Sequence, residues 1–277
     1  MRSMELYRKL MVKLMAPRSV NADDILPFSR TTTALLLDID GTLLDFAPTP
    51  REVWVAPQLL RTLRTLYEAL DGAVAFVSGR AVADIDLIFS PLLLPAVGGH
   101  GAEFRPSIAD QASAGPPPLP APIKREFAMA AKLGPGILIE DKGYALALHY
   151  RLAPDLGPRL IETVEALRDR LPADAVDIMR GKFVVEIKPA GFTKASGVQA
   201  LMQEPAFAGR KPIFIGDDIT DEAVFPIIPD YDGLCFSVGR SIEGTNGCFD
   251  DPRAVRRWLA RAAAAFDPAT AATETSS

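Results

Sequence analysis

The chain has 277 residues, 48% of them hydrophobic, and a formal net charge of −5. That composition excludes a disordered chain and provides one large core or two modest ones, while the acidic balance excludes a general nucleic-acid binder. The two cysteines, Cys235 and Cys248, make no disulfide framework and fit no zinc spacing, so a reduced cytoplasmic protein is expected.

Near the start, Arg2, Glu5, Arg8, Lys9 and Lys13 interrupt every apolar stretch, and no signal-peptide core forms. Leu6, Leu10 and Leu14 recur at helical spacing and predict a short amphipathic helix within a leader over residues 1–30. Leu35 to Leu37 is a short apolar run that ends in Asp38-Ile39-Asp40-Gly41-Thr42. A helical face follows at Leu59, Leu60, Leu63, Leu66, Tyr67 and Leu70. Val74 to Val77 runs into Ser78-Gly79-Arg80, then come a helix over 81–89 and an apolar run over 94–97. The pattern resumes at Thr193, which reads as an N-cap. It continues through Ile213 to Ile215 before Gly216-Asp217-Asp218, a helix near Thr220, a strand over 234–238 and a helix opened by Asp251 and Pro252.

Strands alternating with helices, and apolar on both faces, predict a doubly wound parallel sheet of the α/β class. The middle differs. Pro106 to Pro122 holds six prolines and reads as a long loop or linker. Two hairpins follow, one turning at Asp141-Lys142-Gly143 and one at Gly181, with a helix between them. In the second, Phe183, Val185 and Ile187 alternate with Val184, Glu186 and Lys188. The expected organisation is a core over 31–106 and 191–266, an inserted α+β domain over 107–190, and a flexible tail over 267–277.

In an open α/β sheet, ligands bind beyond the carboxyl ends of the strands. Those ends carry Asp38, Asp40, Ser78, Asp217 and Asp218, and carboxylates gathered that closely call for a hard cation, most simply Mg²⁺. A carboxylate can attack phosphorus, whereas it is a poor nucleophile toward a carbonyl. At ~4 Å in water, the repulsion between an anionic nucleophile and an anionic substrate is about 1 kcal/mol and grows several-fold in a closed site. Lys194 in the first turn of a helix opposes the helix dipole unless an anion binds there. Taken singly, an Asp after a strand is usually a turn or cap residue, and Arg80 and Lys194 read as solvated charges.

The four motifs in order, Asp38-Ile39-Asp40-Gly41-Thr42, Ser78, Lys194 and Asp217-Asp218 with Asp221, resemble the haloacid dehalogenase superfamily of phosphotransferases. The resemblance implies a Rossmann-like core with an inserted cap. Asp38 is then the nucleophile and Asp40 the acid and later the base. Ser78 and Lys194 hold the phosphate, and Asp38, Asp40, Asp217 and Asp218 form the Mg²⁺ site. Asp218 and Asp221 read equally as outer support of the metal or as helix caps.

Ser78-Gly79-Arg80, Gly99-His100-Gly101-Ala102-Glu103, His149-Tyr150-Arg151 and Gly216-Asp217-Asp218-Ile219-Thr220-Asp221-Glu222 narrow the resemblance to trehalose-6-phosphate phosphatases. It implies that Glu140, Lys142 and Glu186 of the cap bind sugar hydroxyls and that Arg80 and His100 line the core side. A solvated hairpin face is the plainer account of the three cap residues, and a structural pairing that of His149 and Arg151. The expected partner is a small sugar phosphate, with no nucleic acid and no membrane, and the chain is taken as a monomer. The competing functions are hydrolysis of sucrose phosphate or a glycosyl-phosphoglycerate, a phosphomutase, and a sugar-phosphate sensor with dormant catalytic groups.

Overall fold

Apolar runs too short to be helices become buried strands in the computed structural model, which describes residues 18–20, 24, 28–45, 54–113, 118–181 and 183–266. The expected leader helix at Leu6, Leu10 and Leu14 and the tail over 267–277 lie outside the described residues. The chain opens with β1 (Arg18–Ser19), β2 (Thr33–Leu37), α1 (Pro57–Ala69), β3 (Val74–Val77), α2 (Val82–Phe89), β4 (Ala96–Gly98) and β5 (Glu103–Arg105). The middle contributes α3 (Ala121–Ala128), β6 (Leu138–Asp141), β7 (Leu146–His149), α4 (Gly157–Arg168), β8 (Val176–Gly181) and β9 (Val184–Pro189). It closes with α5 (Lys194–Leu201), β10 (Lys211–Gly216), α6 (Ile219–Glu222), β11 (Leu234–Val238), β12 (Gly247–Phe249) and α7 (Pro252–Ala264).

The described residues fall into two compact units, one within 1–113 and 193–277, the other within 114–192. The first holds a sheet ordered β1-β12-β11-β10-β2-β3-β4-β5, parallel except for β5, which pairs antiparallel with β4. Every residue of β2 and β3 is buried, as strands covered on both faces require. The sequence order runs outward from β2 in one direction through β3 and β4, and from β10 in the other through β11 and β12. The crevice between β2 and β10 is therefore the switch point where α/β sheets bind ligands. The strands at β1, β5 and β12 escape sequence reading because each has only two or three residues, too few to show a period.

The second unit holds an antiparallel sheet ordered β6-β7-β9-β8. Leu146, Leu148, Val185 and Ile187 point from one face into a core with Phe127, Leu160 and Val164. The alternation of β9 is as the sequence predicts, but its polar face is not solvated: Glu186 and Lys188 are both buried. None of the helices among the described residues is long and apolar enough to cross a membrane.

Candidate active site

Register places the chemistry. Leu37 of β2 pairs with Ile215 of β10 and with Phe76 of β3, so the three strands end at nearly the same level. Asp38 follows β2 directly, its N–H donating to the Ile215 carbonyl at 3.0 Å, and is buried. Ser78 follows β3 and is buried as well; Asp217 follows β10.

Thr193 is the N-cap of α5, as the sequence predicts. Its hydroxyl accepts the Ser196 N–H at 3.0 Å, and its own N–H donates to the Ser196 hydroxyl at 3.0 Å. This reciprocal cap fixes Lys194 at the first helical position. Its ammonium, buried, lies 2.8 Å from Asp38 Oδ1 and 2.7 Å from Asp221 Oδ1. Asp221 is fully buried. Its other oxygen, Oδ2, accepts the backbone N–H groups of Asp217 and Asp218, both at 3.1 Å, and so ties the β10–α6 turn to Lys194. Ligand atoms of Asp38, Asp217 and Asp221 lie within 4.8 Å of one another.

The electrostatics follow from burial. Desolvation, then repulsion from Asp38, Asp221 and Asp218, pushes the Asp217 carboxyl up to about 8. Desolvation and Asp38 raise Asp221 to about 7, against the pull of Lys194. Asp38 is raised by burial, although Lys194 opposes the shift. Burial pulls the Lys194 ammonium down, but Asp221 and Asp38 outweigh it, and the group stays charged well beyond its ordinary range.

The donor set fits a hard divalent cation. All three groups are oxygen donors, and three carboxylates against one ammonium leave two formal negative charges. The backbone makes room for this arrangement. Gly41 has φ +81°, and a Cβ there would lie 2.1 Å from Asp217 Oδ2, so only glycine lets the two segments meet.

Asp40 is turned elsewhere. Arg80 clasps it with Nε to Oδ2 at 2.5 Å and Nη2 to Oδ1 at 2.6 Å. Asp218 is exposed and caps α6, with Oδ1 accepting the Ile219 N–H at 2.6 Å. Ser78 Oγ accepts the Arg80 N–H at 3.2 Å. His100, in the left-handed region with φ 56°, lays its ring against Gly79; a Cβ on Gly79 would meet the ring at 2.3 Å. Ser78, Arg80 and His100 thus form one local arrangement. The sequence alone leaves Asp221 between two roles. Its position four residues after Asp217, on the first turn of a helix, was the available signal.

In the second unit, Lys142 Nζ lies 2.7 Å from Glu186 Oε2, and His149 Nε2 lies 2.7 Å from Glu140 Oε2. Glu140 and Glu186 stand on the same face of the sheet, since Ala147 of β7 pairs with each.

A family model described as trehalose-phosphatase matches residues 36–243. A Sinorhizobium fredii (strain NBRC 101917 / NGR234) protein named probable trehalose-phosphate phosphatase is 42% identical over 221 residues, covering 80% of this chain and 83% of its own. The trehalose-6-phosphate phosphatase of Escherichia coli (strain K12) is 37% identical over 210 residues, covering 74% and 77%. Among solved structures, the C-terminal domain of a C. albicans trehalose-6-phosphate phosphatase matches with a TM-score of 0.75 at 22% identity, covering 90% of this chain and 98% of that one, a likeness of fold.

Proposed function

The chain belongs to the trehalose-phosphatase family, and we propose that it hydrolyses trehalose 6-phosphate to trehalose and phosphate through a phosphorylated Asp38. The convergence of Asp38, Asp217 and Asp221 around Lys194 at the sheet's switch point carries this reading. Asp38 attacks phosphorus, and the leaving sugar oxygen takes a proton from Asp40. Asp40 then takes a proton from the water that cleaves the aspartyl-phosphate. For this, Asp40 must let go of Arg80, which holds both of its oxygens. Lys194 has three N–H donors and spends two on Asp38 and Asp221, leaving the third for a phosphoryl oxygen. The Ser78 hydroxyl serves a second one.

Asp38 and Asp217 would hold Mg²⁺, with Asp221 steering Asp217 through its backbone N–H; Asp40 and Asp218, the other two expected ligands, have other partners here. The ion, when bound, cancels the repulsion between nucleophile and phosphate. Glu140, Lys142 and Glu186 read sugar hydroxyls, while Arg80 and His100 contact the substrate from the core unit. The protein works as a monomer in the cytoplasm, a reducing setting that suits two free, buried thiols.

The test measures phosphate release from trehalose 6-phosphate, sucrose phosphate and a glycosyl-phosphoglycerate, with and without EDTA. Trehalose 6-phosphate is expected to exceed the others by about 100-fold in kcat/KM, with full loss in EDTA. A preference for another sugar, an isomerised sugar phosphate, or tight binding without turnover overturns the reading.

A further inference from the structure

Lys188 is 2% exposed, and its Nζ has no hydrogen-bond partner among the described residues. Burial lowers the pKa of its ammonium, against the opposing charges of Asp177 and Glu186. Glu186 stands two residues earlier on β9, hence on the same face, and is 5% exposed. Its Oε2 is held by Lys142, while its Oε1 has no hydrogen-bond partner among the described residues. Ala147 on β7 and Met179 on β8 pair with Glu186 across the sheet, and neither offers a side-chain donor. The cross-strand partner of Lys188 is Asp177, whose Oδ2 accepts the Gly191 N–H at 3.2 Å. Half-buried Lys142, in the turn after β6, and half-buried Asp177, on β8, thus flank the buried pair Glu186 and Lys188 with charges of alternating sign.

A buried ammonium without a hydrogen bond is costly, and a strand of this kind packs better with an apolar residue. A buried acceptor left open is costly too, and a hydroxyl donor relieves it. We propose that Lys188 is a positioning residue for substrate recognition: its ammonium, with that of Lys142, steadies the Glu186 carboxylate, leaving Oε1 to accept a hydrogen bond from a sugar hydroxyl. The proposal rests on the sugar-phosphate reading above. It adds a residue that touches no substrate and acts through Glu186.

The experiment is a double-mutant cycle on the full chain with trehalose 6-phosphate, comparing Lys188→Met, Glu186→Gln and the double variant. Lys188→Met is expected to raise KM about tenfold with kcat lowered less than about threefold, and Lys188→Arg to bring KM back to within about threefold of the parent. In the Glu186→Gln background, Lys188→Met is expected to add less than about twofold. Equal KM increases in both backgrounds, or a loss confined to kcat, overturn the proposal. If Lys188→Met does not fold, the comparison of Glu186→Gln with the charge-balanced double variant stands in its place. An added KM rise of about tenfold there overturns the proposal; one below about twofold, together with a KM raised about tenfold by Lys188→Gln alone, supports it, and an unchanged KM in Lys188→Gln overturns it. Failure of the parent chain to turn over trehalose 6-phosphate sinks the substrate reading alone. The cycle is then run on whichever sugar phosphate the panel shows to be hydrolysed.

Discussion

The two units bury charge in opposite ways. In the first, three distant stretches bring together three carboxylates and one ammonium, an imbalance that a protein interior tolerates only with a cation or with retained protons. In the second, neighbouring strands of a single sheet line up cations and anions in alternation, so charge is nearly balanced and what remains is unpaired hydrogen-bonding capacity on Lys188 and Glu186. The first arrangement suits an ion and a phosphate, the second a neutral hydroxylated group. Under the proposed function, one region serves chemistry and the other recognition, and substitutions should separate them.

The largest effect is expected from Lys194→Met. It leaves Asp38 and Asp221 facing each other in the interior without their shared ammonium. Urea unfolding without divalent cations should show a loss of about 3–5 kcal/mol at pH 8, smaller at about pH 5.5, where the acids hold protons. Retained stability at pH 8 would break the contrast between the two units.

The next prediction concerns pH. Without a cation, Asp217 titrates at about 8 and Asp221 at about 7, against an ordinary value of 3.8. The folded chain thus keeps protons that the unfolded chain releases, and metal-free stability falls as pH rises from about 4 to about 8. Thermal melts should show that Mg²⁺ raises Tm more at pH 8 than at about pH 5.5. An equal gain at both would mean that Asp217 does not hold the ion.

Glu186→Gln tests the recognition side. Its effect on trehalose 6-phosphate should exceed its effect on an aryl phosphate by about tenfold in kcat/KM. An equal loss on both substrates would move Glu186 out of sugar reading. The smallest effect is expected from Thr193→Ala, which removes the cap that sets the start of α5 and should cost about 1 kcal/mol in urea unfolding. A change of less than about 0.3 kcal/mol would mean that packing alone fixes Lys194.

Much of the first unit is legible in the sequence because its strands are apolar on both faces and end in chemistry. Leu234–Val238 and the Asp251–Pro252 helix start read directly from residue type. The side-chain partnerships do not. Nothing in Asp38-Ile39-Asp40 says that the second aspartate faces Arg80, because a strand end leaves its direction to tertiary contacts. Asp221 carries three hydrogen bonds that only the folded turn creates. In the second unit, alternation gives the faces of β9 correctly, but the pattern cannot tell a solvated polar face from a buried one, and here Glu186 and Lys188 are buried.

The most direct measurement is phosphate release from trehalose 6-phosphate by the parent chain and by Asp38→Asn, each with Mg²⁺ and with EDTA, circular dichroism confirming an unchanged fold. Activity is expected only in the parent with the ion present, with a drop of roughly 10⁴-fold or more for Asp38→Asn. An Asp38→Asn protein that stays within tenfold of the parent would contradict this expectation.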